Sequence, residues 1–348
     1  MENKNKKKIR VAISQGDING ISYEVILKTF SDTRMFEICT PILYGSTKVL
    51  SYYKKLLPQQ HQELTYNAIR DARQAADGNF NVINLTQEEV KIDVGVSSDV
   101  AGLLSRKSLE AACQDLKEGK VDVLVTAPIN KKNIQGSEFD FPGHTEYLSS
   151  KFNSSSLMMM VCDRIRMGIV TNHYALKDVP AAITHDLLME KLVLMHDSLM
   201  RDFGIPMPKI AVLALDPHAG DNGVIGTQDM QVVKPTIDEA NQQKGILAYG
   251  PFPSDGFFGS NEFNKFDGVL ALYHDQGLIP FKLMSFTEGV NFTAGMPIVR
   301  TSPAHGTAYD IAGKDKANEQ SFRSAVYLAC NIFENRAEYA ELTKDPLK

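Results

Sequence analysis

Three histidines each follow an apolar run that has the character of a buried strand. His173 comes after "IRMGIV", His218 after "KIAVLAL" and His274 after "GVLALY". In an open α/β sheet, the residues beyond the carboxyl ends of the strands meet at one edge, where ligands bind. Three neutral imidazoles are suited to Zn, Co or Ni, and they leave a coordination position open for a substrate oxygen. A single strand-end histidine is usually structural, so the predicted metal site depends on the three equivalent positions together.

Carboxylates stand next to two of these histidines. Asp216 precedes His218 by two positions, and Asp275 directly follows His274. A carboxylate behind a metal-binding imidazole orients the ring and fixes its tautomer. Both aspartates are therefore candidates for this supporting role.

A second candidate site lies at the start of a predicted helix. In "PGHTEYLSSKF", Gly143 interrupts the chain, and His144 and Thr145 begin the helix. Free backbone N–H groups and the positive end of the helix dipole favour a phosphate or carboxylate there. The simpler alternative is that Thr145 only caps the helix.

Three further polar residues follow His274 along the chain, namely Lys282, Asn291 and Arg300. A fixed lysine and arginine near a metal suggest an anionic substrate, because both cations pair with phosphate or carboxylate. Taken singly, each of these residues is more readily explained as a polar or charged group on the protein surface.

These residues are carried by short apolar strands that alternate with amphipathic helices. Strands are predicted at Ile9–Ser14, Thr40–Gly45 and Lys209–Leu215, and helices at 22–30, 100–116, 185–203 and 317–342. Such alternation predicts an α/β fold with a largely parallel sheet. "MMMVCD" and "IRMGIVT" are close enough to form a hairpin, which would make the sheet mixed. There is no G-x-G-x-x-G after a strand and no P-loop, so neither ordinary nucleotide motif is present.

Composition excludes several other classes of protein. The net charge is −5, which does not suit nucleic-acid binding by bulk electrostatics, and no apolar run is long enough to span a bilayer. The four cysteines are scattered without a C-x-x-C pair, and the basic N-terminus lacks the apolar stretch of a signal peptide. We therefore expect a cytoplasmic protein without nucleic-acid or membrane partners.

Taken together, the motifs resemble the 4-hydroxythreonine-4-phosphate dehydrogenase family of pyridoxal 5'-phosphate biosynthesis. The resemblance runs from "SQGDINGISYE" through "VTAPINK", "PGHTE", "DPHAG" and "YHDQG" to "GVNFTAGMPIVRTSPAHGTAYDIAGK". It implies two α/β/α lobes with a central mixed, mostly parallel sheet and a cleft, as in isocitrate and isopropylmalate dehydrogenases. The first lobe would comprise residues 1–128 plus 285–348, and the second, with the interface of a homodimer, residues 129–284.

The resemblance also implies roles for individual residues. His173, His218 and His274 would hold one divalent metal (Zn, Co or Mg), with His274 donated by the neighbouring subunit. Asp255 and Asp275 are the candidate catalytic carboxylates. The substrate would be held by His144, Thr145, Lys282, Asn291 and Arg300. The segment "HGTAYDIAGKDKAN" would hold NAD or NADP, with His305, Gly306, Asp310 and Gly313 as the binding residues.

The implied reaction is the NAD-dependent oxidation and decarboxylation of 4-phosphohydroxy-L-threonine to 3-amino-2-oxopropyl phosphate. The chain departs from the family at "GDINGISYE", where G-D-P-A-G-I-G-P-E is usual, and at Asp216 and Asp221, where Asn and Glu are usual. A dehydrogenase of a related four-carbon acid phosphate, such as threonate or erythronate 4-phosphate, is the main alternative. A phosphate acyltransferase of related architecture is a more distant one.

Overall fold

The computed structural model describes residues 8–136, 139–141 and 143–345. The strands are β1 Ile9–Ser14, β2 Cys39–Gly45, β3 Tyr66–Ile69, β4 Phe80–Asn84, β5 Val123–Thr126, β6 Leu157–Cys162, β7 Ile165–Ile169, β8 Lys209–Leu213, β9 Leu247–Phe252, β10 Gly268–Ala271, β11 Val290–Ala294 and β12 Arg300–Pro303. The α-helices are α1 Ser22–Phe30, α2 Met35–Ile38, α3 Thr47–Leu56, α4 Gln59–Gln62, α5 Asp99–Lys117, α6 His144–Phe152, α7 Val179–Ala182, α8 His185–Arg201, α9 Lys234–Lys244, α10 Ser254–Gly259, α11 His274–Met284 and α12 Gln320–Leu342. Among the described residues, none of these helices combines the length and apolarity needed to cross a membrane.

The chain divides into two compact units. The first comprises the chain up to Lys151 together with Ile298–Phe333, and the second comprises Phe152–Pro297 together with the chain from Glu334 onward. The predicted first lobe was discontinuous in the same sense, but its boundaries were placed at 128 and 285. The boundary lies later in the chain in both cases because Asn133 bonds to Asp17 of the first unit, whereas β11 pairs with β6 of the second.

The first unit contains six strands in the order β3-β4-β2-β1-β5-β12, and every neighbouring pair is parallel. β1 lies between β2 and β5, and its Val11, Ala12 and Ile13 are fully buried. A strand covered on both faces needs apolar side chains on both, which is why "IRVAIS" lacks alternation of polar residues.

The second unit contains six strands in the order β11-β6-β7-β10-β8-β9. β6 and β7 form the predicted hairpin, and β11 is also antiparallel to β6. From β7 onward the pairs β7–β10, β10–β8 and β8–β9 are parallel. The prediction of a mixed, mostly parallel α/β sheet is confirmed.

A buried carboxylate holds the end of the chain within the second unit. Asp202, which follows α8, has no exposed surface and accepts hydrogen bonds from Nε of Arg201 at 3.0 Å and Nε of Arg336 at 2.7 Å. Its second oxygen accepts from the Ser198 hydroxyl at 2.8 Å, and its backbone carbonyl accepts from the Asn335 amide. Asp202 therefore fixes the last turns of α12 to the end of α8.

Candidate functional site

Two of the three predicted metal ligands lie side by side at strand ends of the second unit. β7 and β10 are parallel neighbours with Ile169 opposite Ala271, so both chains leave the sheet at the same edge. His173 follows β7 and His274 follows β10, and the ring centroids of the two imidazoles are 5.8 Å apart. The expectation that strand ends bring these side chains together is met for this pair.

His274 is the first residue of α11, and its ring is oriented by the next residue. Nδ1 of His274 lies 2.7 Å from Oδ1 of Asp275. When a carboxylate accepts a hydrogen bond from Nδ1–H, Nε2 carries the free lone pair. Metal-binding histidines are commonly held in this tautomer by such a carboxylate. Asp275 therefore lies where it can orient the ring of His274, and its role behind a metal ligand stays a prediction.

His218 sits on an unusual backbone segment after β8. Five consecutive residues have left-handed dihedral angles: His218, Ala219, Gly220, Asp221 and Asn222. Such angles cost non-glycine residues roughly 1–2 kcal/mol each, so they persist only where other contacts enforce them.

The chain just before this segment is held by Asp229, a buried carboxylate that sequence reasoning missed. Its two oxygens accept the backbone N–H groups of Leu215 and Asp216, both at 2.8 Å, and burial raises its pKa. These bonds turn the chain out of β8 just before His218. A lone aspartate eleven positions beyond a histidine carries no sequence signal of this role.

Two cavities flank Tyr273 in the second unit. One, of about 240 Å³, is lined by Asp216, His218, Ser254 and Asp255 among others. The other, of about 390 Å³, is lined by Asn172, His173, Tyr174, His274 and Asp275 among others. His218 and Asp255 thus share one cavity, while the His173–His274 pair lies in the other.

Gln276 ties these strand ends together. Its side chain accepts from the backbone N–H of Leu272 at 2.7 Å and donates to the carbonyl of Ala214 at 2.6 Å and to the hydroxyl of Ser254 at 2.9 Å. The glutamine of "YHDQG" therefore connects the ends of β10 and β8 by hydrogen bonds. Sequence analysis gave it no role, although a glutamine between two apolar segments is a weak signal of a buried polar contact.

The described residues of a single chain do not form a complete metal site. In the parts of the chain that the structure describes, no group of three His, Cys, Asp or Glu side chains is arranged to hold a metal ion. Two adjacent imidazoles, one of them backed by a carboxylate, nevertheless match the donor set of a Zn or Co site. One chain therefore offers two adjacent imidazoles, His173 and His274, as metal ligands. The set of three histidines stays a prediction.

The first unit contains a buried cation beside a neutral histidine. Arg300, at the start of β12, is only 2% exposed, and its Nε and a terminal nitrogen donate to the hydroxyl of Thr126 at 3.1 and 2.6 Å. Burial lowers the pKa of Arg300 to about 10, so the guanidinium is still charged at neutral pH. Burial, and then the charges of Arg300 and Lys131, hold the pKa of His144 well below its usual value.

The neutral ring of His144 has capacity for a ligand. Its Nε2 is buried and has no hydrogen-bond partner among the described residues. Buried polar atoms are nearly always paired, so an unpaired Nε2 under the field of a buried guanidinium could accept a polar, anionic ligand, and the substrate-binding role stays a prediction. His144 and Arg300 were both predicted as substrate-binding residues, and the charge of Arg300 acts on the ring of His144. Thr145 follows His144 in α6.

The buried neutral state of His144 predicts a pH dependence of stability. Its folded pKa is depressed, so below about pH 6.5 the unfolded chain takes up a proton that the folded chain does not. The free energy of unfolding should fall with decreasing pH by up to about 1.4 kcal/mol per unit from this residue. Urea denaturation at several pH values between 7 and 5 gives the free energy of unfolding as a function of pH. This free energy should fall less steeply with decreasing pH in His144→Gln than in the parent, and equal dependence on pH would contradict the assignment.

Lys282 and Asn291, the other predicted substrate residues, belong to the second unit. Lys282 is exposed in the last turn of α11, about 12 Å along the helix axis from His274. Asn291 lies on β11, and its Oδ1 is buried without a partner among the described residues. These two residues stay predictions.

The predicted cofactor segment, 305–318, forms an irregular loop before α12 in the first unit. Nδ1 of His305 lies 3.1 Å from the carbonyl of Gly306, and burial lowers the pKa of the ring, which is therefore neutral. Nε2 of His305 is buried and has no partner within the described chain, and space is open around Gly306. Asp310 is exposed, and the dinucleotide-binding role of this loop stays a prediction.

Comparison with known proteins decides the family. A family model described as "Pyridoxal phosphate biosynthetic protein PdxA" matches residues 37–329. The chain belongs to the PdxA family. The 4-hydroxythreonine-4-phosphate dehydrogenase of Bacteroides thetaiotaomicron is 48% identical over 345 residues, which cover 99% of this chain and 94% of that protein. The enzyme of that name from Sulfurihydrogenibium sp. is 38% identical over 92% of this chain and 97% of its own length.

Solved structures agree with the PdxA assignment. The 4-hydroxythreonine-4-phosphate dehydrogenase of Klebsiella pneumoniae matches with a TM-score of 0.80 and 30% identity, covering 95% of this chain and 99% of that one. A terephthalate 1,2-cis-dihydrodiol dehydrogenase from Burkholderia xenovorans LB400 matches with a TM-score of 0.61 and 21% identity. The latter shows the fold alone. The resemblance drawn from the motifs is confirmed.

Proposed function

We propose that this PdxA-family chain is an oxidoreductase that oxidises and decarboxylates 4-phosphohydroxy-L-threonine to 3-amino-2-oxopropyl phosphate with NAD or NADP. The observation that carries the proposal is the 48% identity to an enzyme of this name over 99% of the chain. The buried, charged Arg300 and the neutral His144 on which its charge acts support it, because such groups can bind the anionic oxygens of a phosphorylated amino acid.

The side chains have separate tasks in this reaction. Within the first unit, Arg300, His144 and Thr145 would hold an anionic group of the substrate. Lys282 and Asn291 stay substrate-binding residues only by the family resemblance. His305, Gly306, Asp310 and Gly313 belong to the loop that receives the dinucleotide. His173, His218 and His274 would hold a divalent metal, which would supply Lewis-acid lowering of the pKa of the substrate hydroxyl, and a bound nicotinamide would supply the hydride acceptor.

A carboxylate must take the hydroxyl proton as the hydride leaves C3. Asp275 and Asp255 are the two candidates, and Oδ1 of Asp275 is already engaged by Nδ1 of His274. Asp255 is exposed and lines the cavity that contains His218, which favours it as the base. Carbon dioxide then departs from the β-keto acid, and C2 takes up a proton to give the aminoketone phosphate.

We also propose a homodimer that uses the outer face of α11. Ile279, Leu283 and Phe286, on α11 and just beyond it, are 59%, 83% and 81% exposed. Large side chains of this kind are unfavourable in water, and their clustering is typical of an interface. The same helix begins with His274, so a partner on this face would approach the histidine that the family resemblance places in a shared site.

The departures from the family pattern near the N-terminus do not indicate another substrate. The hydroxyl of Tyr23 donates to Gln15 at 2.5 Å and accepts the backbone N–H of Ser46, while the hydroxyl of Ser22 donates to the carbonyl of Pro128. All these residues are buried, so the altered segment is used for packing within the first unit. Proposals for threonate or erythronate 4-phosphate gain no support from it.

A steady-state assay of NADH formation tests the proposed function. We expect turnover with 4-phosphohydroxy-L-threonine, much slower turnover with threonate and erythronate 4-phosphates, and loss of activity with a chelator that added Zn²⁺, Co²⁺ or Mg²⁺ restores. Preference for either sugar-acid phosphate would replace the proposed substrate. Full activity after exhaustive chelation would remove the metal from the proposal.

A further inference from the structure

A buried carboxylate in the first unit connects the predicted cofactor loop to two other loops. Asp17, in the turn after β1, has no exposed surface. Its Oδ2 accepts from the hydroxyl of Tyr309 at 2.7 Å and from Nδ2 of Asn133 at 2.8 Å, and its Oδ1 accepts from the backbone N–H of Asn19 at 2.9 Å. No cation among the described residues pairs with it, so these neutral donors alone stabilise the buried charge.

Two more residues complete this group, which we call the Asp17 cluster: Asp17, Ser97, Asn130, Asn133 and Tyr309. The hydroxyl of Ser97 accepts from Nδ2 of Asn133 at 3.2 Å and from Nδ2 of Asn130 at 3.3 Å. The cluster therefore joins four loops, those after β1, before α5, after β5 and after β12. Each is irregular, so its shape depends on such contacts rather than on a helix or strand ladder.

The turn after β1 and helix α1 hold the loop 305–318 at other points as well. The backbone N–H of Ile21 donates to the carbonyl of Thr307 at 3.0 Å, and a side chain at Gly20 would approach that carbonyl to 2.6 Å. Further along, the buried Glu24 accepts the backbone N–H groups of Gly313 at 3.2 Å and Ala317 at 3.0 Å. Tyr309 lies between these anchors and is the only residue of the loop that reaches Asp17 through its side chain among the bonds of the described chain.

We propose that Asp17 and Tyr309 are positioning residues for dinucleotide binding, which hold the loop 305–318 in its binding shape without contacting the dinucleotide. The proposal rests on the assignment of that loop to the cofactor under the proposed function. Loss of the hydroxyl of Tyr309 leaves the buried carboxylate short of a donor and releases the middle of the loop. A loop that must be ordered on binding gives weaker affinity than one that is ordered beforehand.

Tyr309→Phe tests this role, and Tyr44→Phe is a matched control. The hydroxyl of Tyr44 also donates to a carboxylate, that of Asp115, at 2.7 Å in the same unit, but among the hydrogen bonds of the described residues it makes none with the loop 305–318. Isothermal titration with NAD, and with NADP, should show about tenfold weaker binding for Tyr309→Phe and parent-like binding for Tyr44→Phe. In the assay, KM for the dinucleotide should rise in Tyr309→Phe with little change in kcat.

Hydrogen exchange of the protein without dinucleotide provides a second measurement that does not depend on the cofactor. Amides of 306–317 should exchange faster in Tyr309→Phe than in the parent or in Tyr44→Phe. Unchanged exchange, or equal dinucleotide affinity in the two variants, would overturn the positioning role. Failure of the parent protein to bind either dinucleotide would overturn the cofactor assignment itself, and this outcome is distinct because it appears before any substitution.

Discussion

Replacing His218 with alanine is expected to lower metal-dependent NADH formation by about 10³-fold or more. A bound metal supplies several kcal/mol of stabilisation to the developing alkoxide, and each 1.4 kcal/mol corresponds to a factor of ten. The side chain of His218 is exposed, so its removal should leave the folded structure largely unchanged. The measurements are turnover with saturating metal and the metal content of the dialysed protein, both compared with the parent.

His185→Ala is the control for this substitution. His185 is also a surface histidine of the second unit, and its ring nitrogens lie 3.2 Å from Asp186 and 3.0 Å from Glu239. We expect parent-like turnover and metal content for this variant. Near-normal turnover of His218→Ala after chelation would end the three-histidine assignment.

Mixing subunits decides whether His274 acts in its own chain or in its partner. If the site combines His218 of one chain with His274 of the other, heterodimers of His218→Ala and His274→Ala contain one intact site. Random mixing would then restore about a quarter of the parent activity. His274 lies beside His173 of the same chain, and if all three ligands came from one chain, every site in the mixture would stay defective and no activity would return.

Asp202→Ala is expected to lower the free energy of unfolding by about 3–5 kcal/mol. The substitution removes a fully buried carboxylate and leaves two guanidinium groups, of Arg201 and Arg336, without their acceptor. Removing one partner of a buried ion pair lowers the free energy of unfolding by an amount of this size, because the other charge stays in the protein without compensation. Urea denaturation followed by circular dichroism measures the change, and a shorter protected segment at 334–342 should accompany it in hydrogen exchange.

Asp238→Asn provides the contrast. Asp238 pairs with Lys234 on α9, and both side chains are about half exposed. An exposed pair one helical turn apart contributes only about 0.3–0.5 kcal/mol. A loss of similar size in the two variants would show that Asp202 does not hold the end of α12 in the way described.

Much of the fold was predictable because its central strands are continuous apolar runs. Ile9–Ser14 and the helix at 22–30 agree with the structure residue for residue. β3 and β9 were missed, since they lie at the two ends of the strand order and carry exposed or half-exposed residues, which weakens the apolar signal.

α11 was missed because Gly277 and Pro280 both disfavour helix. Gly277 allows α11 to pack closely on the strands, since a Cβ there would come within 2.4 Å of Cδ1 of Ile169 and 3.0 Å of Cβ of Ala271.

The sequence by itself determined which residue types stand at the ends of strands and helices: His173, His218 and His274 after strands, His144 at the start of α6 and Arg300 at the start of β12. It could do so because buried strands are visible as local apolar runs, and the polar residues that interrupt them are visible too. Which of these residues become neighbours was decided by the tertiary structure. Strand order is set by pairing between segments far apart in sequence, here β7 with β10 and β10 with β8. Asp229 and Gln276 in the second unit, and Asp17 in the first, likewise act through hydrogen bonds to distant backbone and side chains, for which no local pattern exists.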